Sequence, residues 1–292
     1  MKHAFLIIAH NNFEVLKRQL GILDNKNSTF FIHIDQRATV DKTDLLSHVK
    51  KAKVIFVKRK KIIWGGYSQI DCELRLINEA VMGNFDYYHL LSGVDMPIKP
   101  FYEIDRFFER NNGKEFIHFD GEEVDYITRQ RISLYHLFQR NIGILRYINI
   151  FFIKCQQFCS LDRLRDETLV VRKGANWFSI TNNLAKYVVN KKKKISKLFR
   201  FSLCADEMFL QTIIYNSNFR INLFDQELRN DYQSCMRYID WKRGKPYVFQ
   251  EGDYNELISS KCLFARKFDY EKSPVLVEML FNLFTSNSRQ LH

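Results

Sequence analysis

The chain has 292 residues, a formal net charge of +12, 46% hydrophobic and 15% aromatic residues, and only 11 glycines and 4 prolines. That is enough for a large core and too little Gly and Pro for long disordered linkers. No run of about 18 uncharged apolar residues occurs, so a membrane-spanning helix is not expected; six dilute cysteines without Cys-x-x-Cys spacing exclude a disulfide scaffold and point to reduced thiols in a cytoplasmic protein.

Ala4 to Ala9 is a continuous apolar run, suited to a strand buried on both faces and not to a signal peptide. Asn11 and Asn12 are cap candidates for a helix in which Phe13, Val15, Leu16, Leu20 and Leu23 recur at helical spacing. Phe30 to Asp35 and Lys53 to Val57 read as strands. Trp64-Gly65-Gly66-Tyr67-Ser68 reads as a turn before a helix from Gln69 to Val81, and Tyr87 to Ser92 as a fourth strand running into Gly93-Val94-Asp95-Met96-Pro97. The segment from Gly121 to Asp166 reads as helical and rich in Arg, Tyr and Phe. Beyond it come a strand at Asn176 to Ile180, an acidic helix start at Asp206-Glu207, and a strand near Phe219 to Phe224. Strands alternating with helices predict an α/β sheet covered on both faces, with ligands at the carboxyl ends of the strands. Asn11, Asp35, residues 64–66 and residues 92–95 all fall at such ends. Apolar strand runs continue on both sides of the middle segment, so one domain over 1–292 is expected.

Asp206 and Glu207 open an apolar, helix-like run, beside unpaired N–H groups and the positive end of a helix dipole. A carboxylate held there at the lip of a pocket can take a proton from a hydroxyl; the plain alternative is that both acids only stabilise a helix start. No Asp-x-Asp pair occurs, and hard cations need several clustered oxygens. The nearest set, Asp71-Cys72-Glu73, lies inside a predicted helix and reads as surface. His33 and Asp35 share one face of a strand end, which suits a metal and a ribose equally. Arg266 and Lys267 stand between aromatics, and Arg243 and Lys245 flank Gly244; each is either a surface cation or a charge that stabilises a departing diphosphate. A charge of +12 admits nucleic acid, an anionic membrane or a phosphorylated ligand, but no zinc-finger, RNA-recognition or helix-turn-helix pattern is present. Lys191 to Lys194, with Lys197 and Arg200 among Ile195, Leu198, Phe199 and Phe201, suits a basic amphipathic helix on a bilayer or a solvated helix face. Ile142 to Phe158, interrupted by Arg146 and Lys154, reads as a buried or an interfacial helix.

Eight stretches, in order along nearly the whole chain, resemble the core-2/I-branching β-1,6-N-acetylglucosaminyltransferases (glycosyltransferase family 14), whose relatives include the peptide O-xylosyltransferases. They are Ala4 to Asn11, Phe31 to Asp35, Trp64 to Ser68, Leu91 to Lys99, Gly174 to Phe178, Ala205 to Glu207, Arg237 to Trp241 and Leu263 to Asp269. Residues 120–165 match poorly, and that is where acceptors tend to be selected. The resemblance implies a nucleotide-sugar transferase fold of the A type (GT-A), with a single Rossmann-like mixed sheet flanked by helices. On it, 1–120 becomes a nucleotide-binding half, 121–165 a variable helical segment and 166–292 an acceptor and catalytic half. It further implies inversion at the anomeric carbon, no metal, and no cofactor besides the UDP-sugar donor.

By the same resemblance Glu207 is the general base. Lys267 binds the diphosphate with an Arg whose counterpart falls near Gly244 or Tyr247, so Arg266, Arg243 and Lys245 are the candidates. Ala9, His10, Asn11, Asp35, Trp64, Ser68 and Asp95 fall on the nucleotide or donor side, and Asp206, Trp177 and Trp241 on the acceptor side. N-acetylglucosamine is the first donor sugar expected, with xylose, galactose and other UDP-hexoses open. The acceptor expected is a glycan or a lipid-linked oligosaccharide in bacterial surface polysaccharide synthesis, the basic charge suiting the inner membrane face. The rival of another class is a non-catalytic binding module for glycans or an anionic polymer. Nucleic acid is not expected as a partner.

Overall fold

The structure, a computed structural model, describes residues 1–139, 144–165 and 168–286. Residues 140–143 and Asp166 of the expected helical middle, among them Ile142 and Gly143 of the expected 142–158 helix, lie outside the described residues. In chain order the elements are β1 (His3–Ala9), α1 (Phe13–Ile22), β2 (Ser28–Ile34), α2 (Lys42–Leu45), β3 (Lys53–Phe56), α3 (Ser68–Ala80), β4 (Tyr87–Ser92), β5 (Asp95–Pro97), α4 (Phe101–Arg110) and β6 (Phe116–Ile117). Then follow α5 (Tyr126–Ser133), α6 (Ile144–Phe158), β7 (Phe178–Thr181), α7 (Asn182–Asn190), α8 (Lys192–Phe199), α9 (Phe209–Tyr215), β8 (Arg237–Ile239), α10 (Tyr254–Ser259), β9 (Phe264–Arg266) and α11 (Pro274–Ser286).

Six strands form the main sheet in the order β3-β2-β1-β4-β7-β6. The apolar run of β1 is central, and Leu6 pairs in parallel with Phe31 on one side and Leu90 on the other. β7 and β6 close the sheet antiparallel. This is the mixed, helix-flanked sheet of a GT-A-like fold. A second, three-stranded sheet, β5-β9-β8, stands beside it and has no counterpart in the sequence expectations. β5 runs antiparallel to β9, with Asp95 opposite Arg266. The fully buried Arg237 staples the two sheets: it donates to the Cys235 and Phe178 carbonyls at 2.8 Å each and lies 4.5 Å over the Phe264 ring.

Apolar faces fill both sides of the main sheet. α3, α7, α8 and α9 cover one core, α1 and α4 the other, and α11 and α10 close a third around the small sheet. Three expectations change here. Phe219 to Phe224 is not a strand; residues Asn218–Asn222 form a 3₁₀ turn, because the Ser217 hydroxyl accepts the Phe219 N–H and tightens the chain, leaving Leu223 a lone bridge to Glu115. Cys72 and Glu73 are buried, not on the surface, because α3 is covered around most of its circumference, and Ile70, Leu74, Leu76, Ile77 and Ala80 are buried with them. Only Asp71 reaches outward, to Lys60 at 2.6 Å and Arg75 at 2.8 Å. Asn12 starts α1 without capping it: its backbone is left-handed (φ 52°), and its side chain accepts from the Tyr270 N–H instead.

The basic segment 191–201 also resolves. Ile195, Leu198 and Phe199 are buried in the core, so the apolar face of α8 is covered by the protein itself. Among the described residues no helix is long and apolar enough to cross a membrane.

Candidate functional site

The carboxyl ends of β1, β2 and β4 meet in one place. The Ala9 carbonyl accepts the Asp35 N–H at 2.9 Å and the Ile8 carbonyl accepts that of Gly93 at 3.0 Å. Gly93 is required there, since a Cβ would come 2.8 Å from that of Ala9. His10 is exposed at this edge. Burial of part of its ring lowers its pKa against the pull of Asp35, and the charges of Arg266, Arg37 and Lys267 lower it further. His10 thus lies among the residues assigned to nucleotide and diphosphate. Asn11 is exposed beside it.

Asp35 is buried and clamped. Its carboxylate accepts from the Arg37 guanidinium at 2.8 and 2.9 Å, from the Arg37 N–H at 2.9 Å and from the Ile62 N–H at 2.9 Å. The Arg37 hydrogen bonds hold its pKa far below the ordinary carboxylate range. His33 turns away to accept the Lys60 N–H at 3.0 Å.

Asp95 holds a cation. Its oxygens accept from the Ser92 N–H and hydroxyl at 2.7 Å each and from Arg266 Nη1 at 2.8 Å. Gln19 of α1 pins the same loop by donating to the Ser92 and Asp95 carbonyls. The Arg266 guanidinium is 4.4 Å over the Trp177 ring, and Lys267 follows it in the chain, half-buried. Arg243 is committed elsewhere, to Asp240, Asp253 at 2.6 Å and Glu256 at 3.0 Å. Lys245 is exposed nearby in sequence. Of the four cations considered, the structure brings Arg266 and Lys267 together beside His10.

Asp206 and Glu207 occupy a 3₁₀ turn, Ala205–Glu207, that precedes α9. The two carboxylates have different surroundings. Asp206 is buried, accepts from Gln69 Nε2 at 2.9 Å, and is pushed up to about 6 by burial and by the charge of Glu207. The Glu207 side chain is 41% exposed and accepts from Arg131 Nη2 at 2.8 Å. Arg131 also donates to the Leu203 and Cys204 carbonyls, so α5 braces the turn. Beneath, Glu73 is buried with neither carboxylate oxygen hydrogen-bonded; burial, and then the charge of Asp206, raise its pKa well above its ordinary value.

Two short segments join these groups. Residues 62–69 run from the donor side to the acid pair: the Ile62 N–H donates to Asp35, and Gln69 bridges Asp206 and the Gly65 N–H. Trp64, at the crown of this loop, is 83% exposed. The Ser68 hydroxyl is used inside the loop, accepting from the Ile63 N–H at 2.8 Å. Residues 174–177 run from the acid turn to the cations: the Gly174 N–H donates to the Glu207 carbonyl at 2.9 Å, and Trp177 meets Arg266. Three residues span at most about 11 Å, so the backbone of the acid turn and the Trp177–Arg266 pair are joined by one short segment. Trp241 is about half exposed, near Tyr232, which stacks on His118 with ring centroids 4.2 Å apart. Two surface cavities, of about 260 and 530 Å³, lie elsewhere, beside β3 and α4, and neither is lined by Glu207, Arg266 or Lys267.

The model of the Core-2/I-Branching enzyme family matches residues 3–258. The chain belongs to the Core-2/I-branching enzyme family. Within that family's reach, it is 25% identical to xylosyltransferase 2 of Mus musculus over 307 aligned positions, covering 97% of this chain and 34% of the relative. It is 23% identical to a xylosyltransferase of Ciona intestinalis, with 96% and 34% covered, and 26% identical to xylosyltransferase sqv-6 of Caenorhabditis briggsae, with 88% and 33% covered. The chain spans about a third of the length of these relatives.

Sequence reasoning missed Arg131, Gln69, Arg37 and Tyr232. Arg37, two residues after Asp35, was within reach of a search for neighbouring charges. Arg131 carried no signal: it lies 76 residues from Glu207, in the segment that least resembles the family.

Proposed function

We propose that this chain is an inverting, metal-independent glycosyltransferase that moves a sugar from a UDP-sugar to a hydroxyl. Glu207 takes the hydroxyl proton as that oxygen attacks the anomeric carbon. The new C–O bond forms on one face as the bond to the diphosphate breaks on the other, a division of labour also used by inverting glycosidases. Arg266 and Lys267 balance the charge that develops on the leaving diphosphate, and Asp95 and Trp177 hold Arg266 for that purpose. Holding both substrates in line supplies much of the remaining acceleration. The observation that supports this reading is the pair of bridging segments, 62–69 and 174–177, which tie the Asp206-Glu207 turn to Asp35 on one side and to the Arg266-Trp177 pair on the other.

The donor is UDP-xylose in the first reading, favoured by three relatives named as xylosyltransferases. UDP-N-acetylglucosamine is the second, favoured by the branching-enzyme description of the family. The acceptor is a hydroxyl on a glycan, on a lipid-carried oligosaccharide or on a protein.

UDP release over a panel of UDP-sugars in excess EDTA tests the scheme. The wild type is expected to release UDP, slowly without acceptor; strict dependence on added manganese would overturn the cation assignment. Glu207→Gln is expected to lose about two decades of turnover or more while still binding UDP. Near-normal turnover in that variant removes Glu207 from the chemistry, and UDP binding without release from any donor supports a binding module instead.

A further inference from the structure

We propose that the outward face of α6 docks on an anionic lipid bilayer. The helix is inside out by the standard of a surface helix. Its polar residues Asn149 and Gln156 are buried, and Gln156 exchanges hydrogen bonds with the Tyr135 backbone at 2.7 and 3.0 Å. Tyr147, Phe151 and Phe158 are 72%, 70% and 92% exposed. Positions 147, 151, 154, 155 and 158 follow one face at helical spacing, so these rings form a stripe. A helix facing water shows the reverse pattern, and a contiguous apolar patch marks a contact surface.

Charge selects the occupant. From Tyr126 to Leu161 the chain has no Asp or Glu, whereas Arg146 and Lys154 occupy exposed positions of α6. α8 adds exposed Lys193 and Lys197, and the residue that caps it adds exposed Arg200, again at helical spacing. The two helices are tied together: Arg163 donates to the Lys197 and Leu198 carbonyls at 3.3 and 3.1 Å and lies 4.6 Å over the Tyr135 ring, whose backbone Gln156 holds. Aromatic rings at the depth of the headgroups with cations around them are how a protein recognises an anionic bilayer surface. A second copy of the chain would instead set these cations against each other, with no carboxylate on the helix to receive them. The surface is independent of the chemistry assigned to Glu207. It adjoins the wall that carries that residue, since Gln157 of α6 donates to Gln130 of α5 at 2.9 Å and α5 supplies Arg131.

The experiment is co-sedimentation of the full chain, without donor, with vesicles of phosphatidylcholine alone or with about one third phosphatidylglycerol. Binding to the anionic vesicles is expected to be at least about tenfold stronger, to weaken with salt, and to fall at least about tenfold in the triple variant Tyr147→Ser, Phe151→Ser, Phe158→Ser. Melting temperature and acceptor-free UDP release report whether that variant stays folded. In a chain carrying Cys159→Ser, an environment-sensitive dye on the exposed Cys155 is expected to shift to the blue on anionic vesicles alone. Absence of binding, or equal binding by the triple variant, overturns the proposal. So does a lipid-free dimer in light scattering that the triple variant dissociates, because it assigns the stripe to a second copy.

Discussion

Arg131 divides its guanidinium between the Leu203 and Cys204 carbonyls and one oxygen of Glu207. A carboxylate tethered through one oxygen keeps the other for an incoming proton and loses little freedom when it acts. Arg131→Gln is therefore expected to lower kcat about tenfold or more with the donor KM nearly unchanged; a rise in donor KM at constant kcat would move Arg131 to the donor side. The acidic pair itself was legible, because two adjacent carboxylates before an apolar run stand out in any sequence. Which of them faces solvent was not. Asp206 and Glu207 differ by one position, and the direction of each side chain follows from a 3₁₀ turn and a bond to Gln69. The fate of Glu73 was misread for a related reason: a single acid on an apolar stripe reads as surface until the helix is seen packed on that stripe.

At the scale of elements, the loop before α3 matters most. Gly65 has φ 70°, and a Cβ there would come 2.8 Å from Cys204 Sγ, while its carbonyl accepts the Cys204 N–H at 2.6 Å. Gly65→Ala is expected to cost about 1–3 kcal/mol, by backbone strain and by displacing the acid turn. Chemical denaturation measures it, and an unchanged midpoint would show that the loop moves freely of Cys204. The first four strands and α1 and α3 were readable within a residue or two, since buried parallel strands are continuous apolar runs and helices repeat at their own spacing. β5, β8 and β9 have three residues each, too few for any periodicity. Yet their pairing is what sets Asp95 opposite Arg266.

For the whole molecule, buried acids set part of the pH response. Burial pushes Glu115 up to about 7 and Asp206 up to about 6. A carboxyl whose pKa is higher folded than unfolded favours the fold below its unfolded value. That contribution is lost as pH rises through the folded value, here between about 4 and 7. Asp206→Asn keeps an acceptor for Gln69 and removes the ionisation. Its stability relative to wild type is expected to rise between pH 4 and 7, by up to about 3 kcal/mol. Melting curves across that range check it, and a difference that does not vary with pH would place the Asp206 charge in water.

Composition and periodicity alone determined the α/β class, the central strands and the strand ends where a site would form, because the apolar face of an element is written locally. Partners were decided by packing. Arg131 on Glu207, Arg266 on Asp95 and the outward rings of α6 depend on which elements meet across tens of residues, and spacing along a chain records the faces of an element without recording what each face will touch.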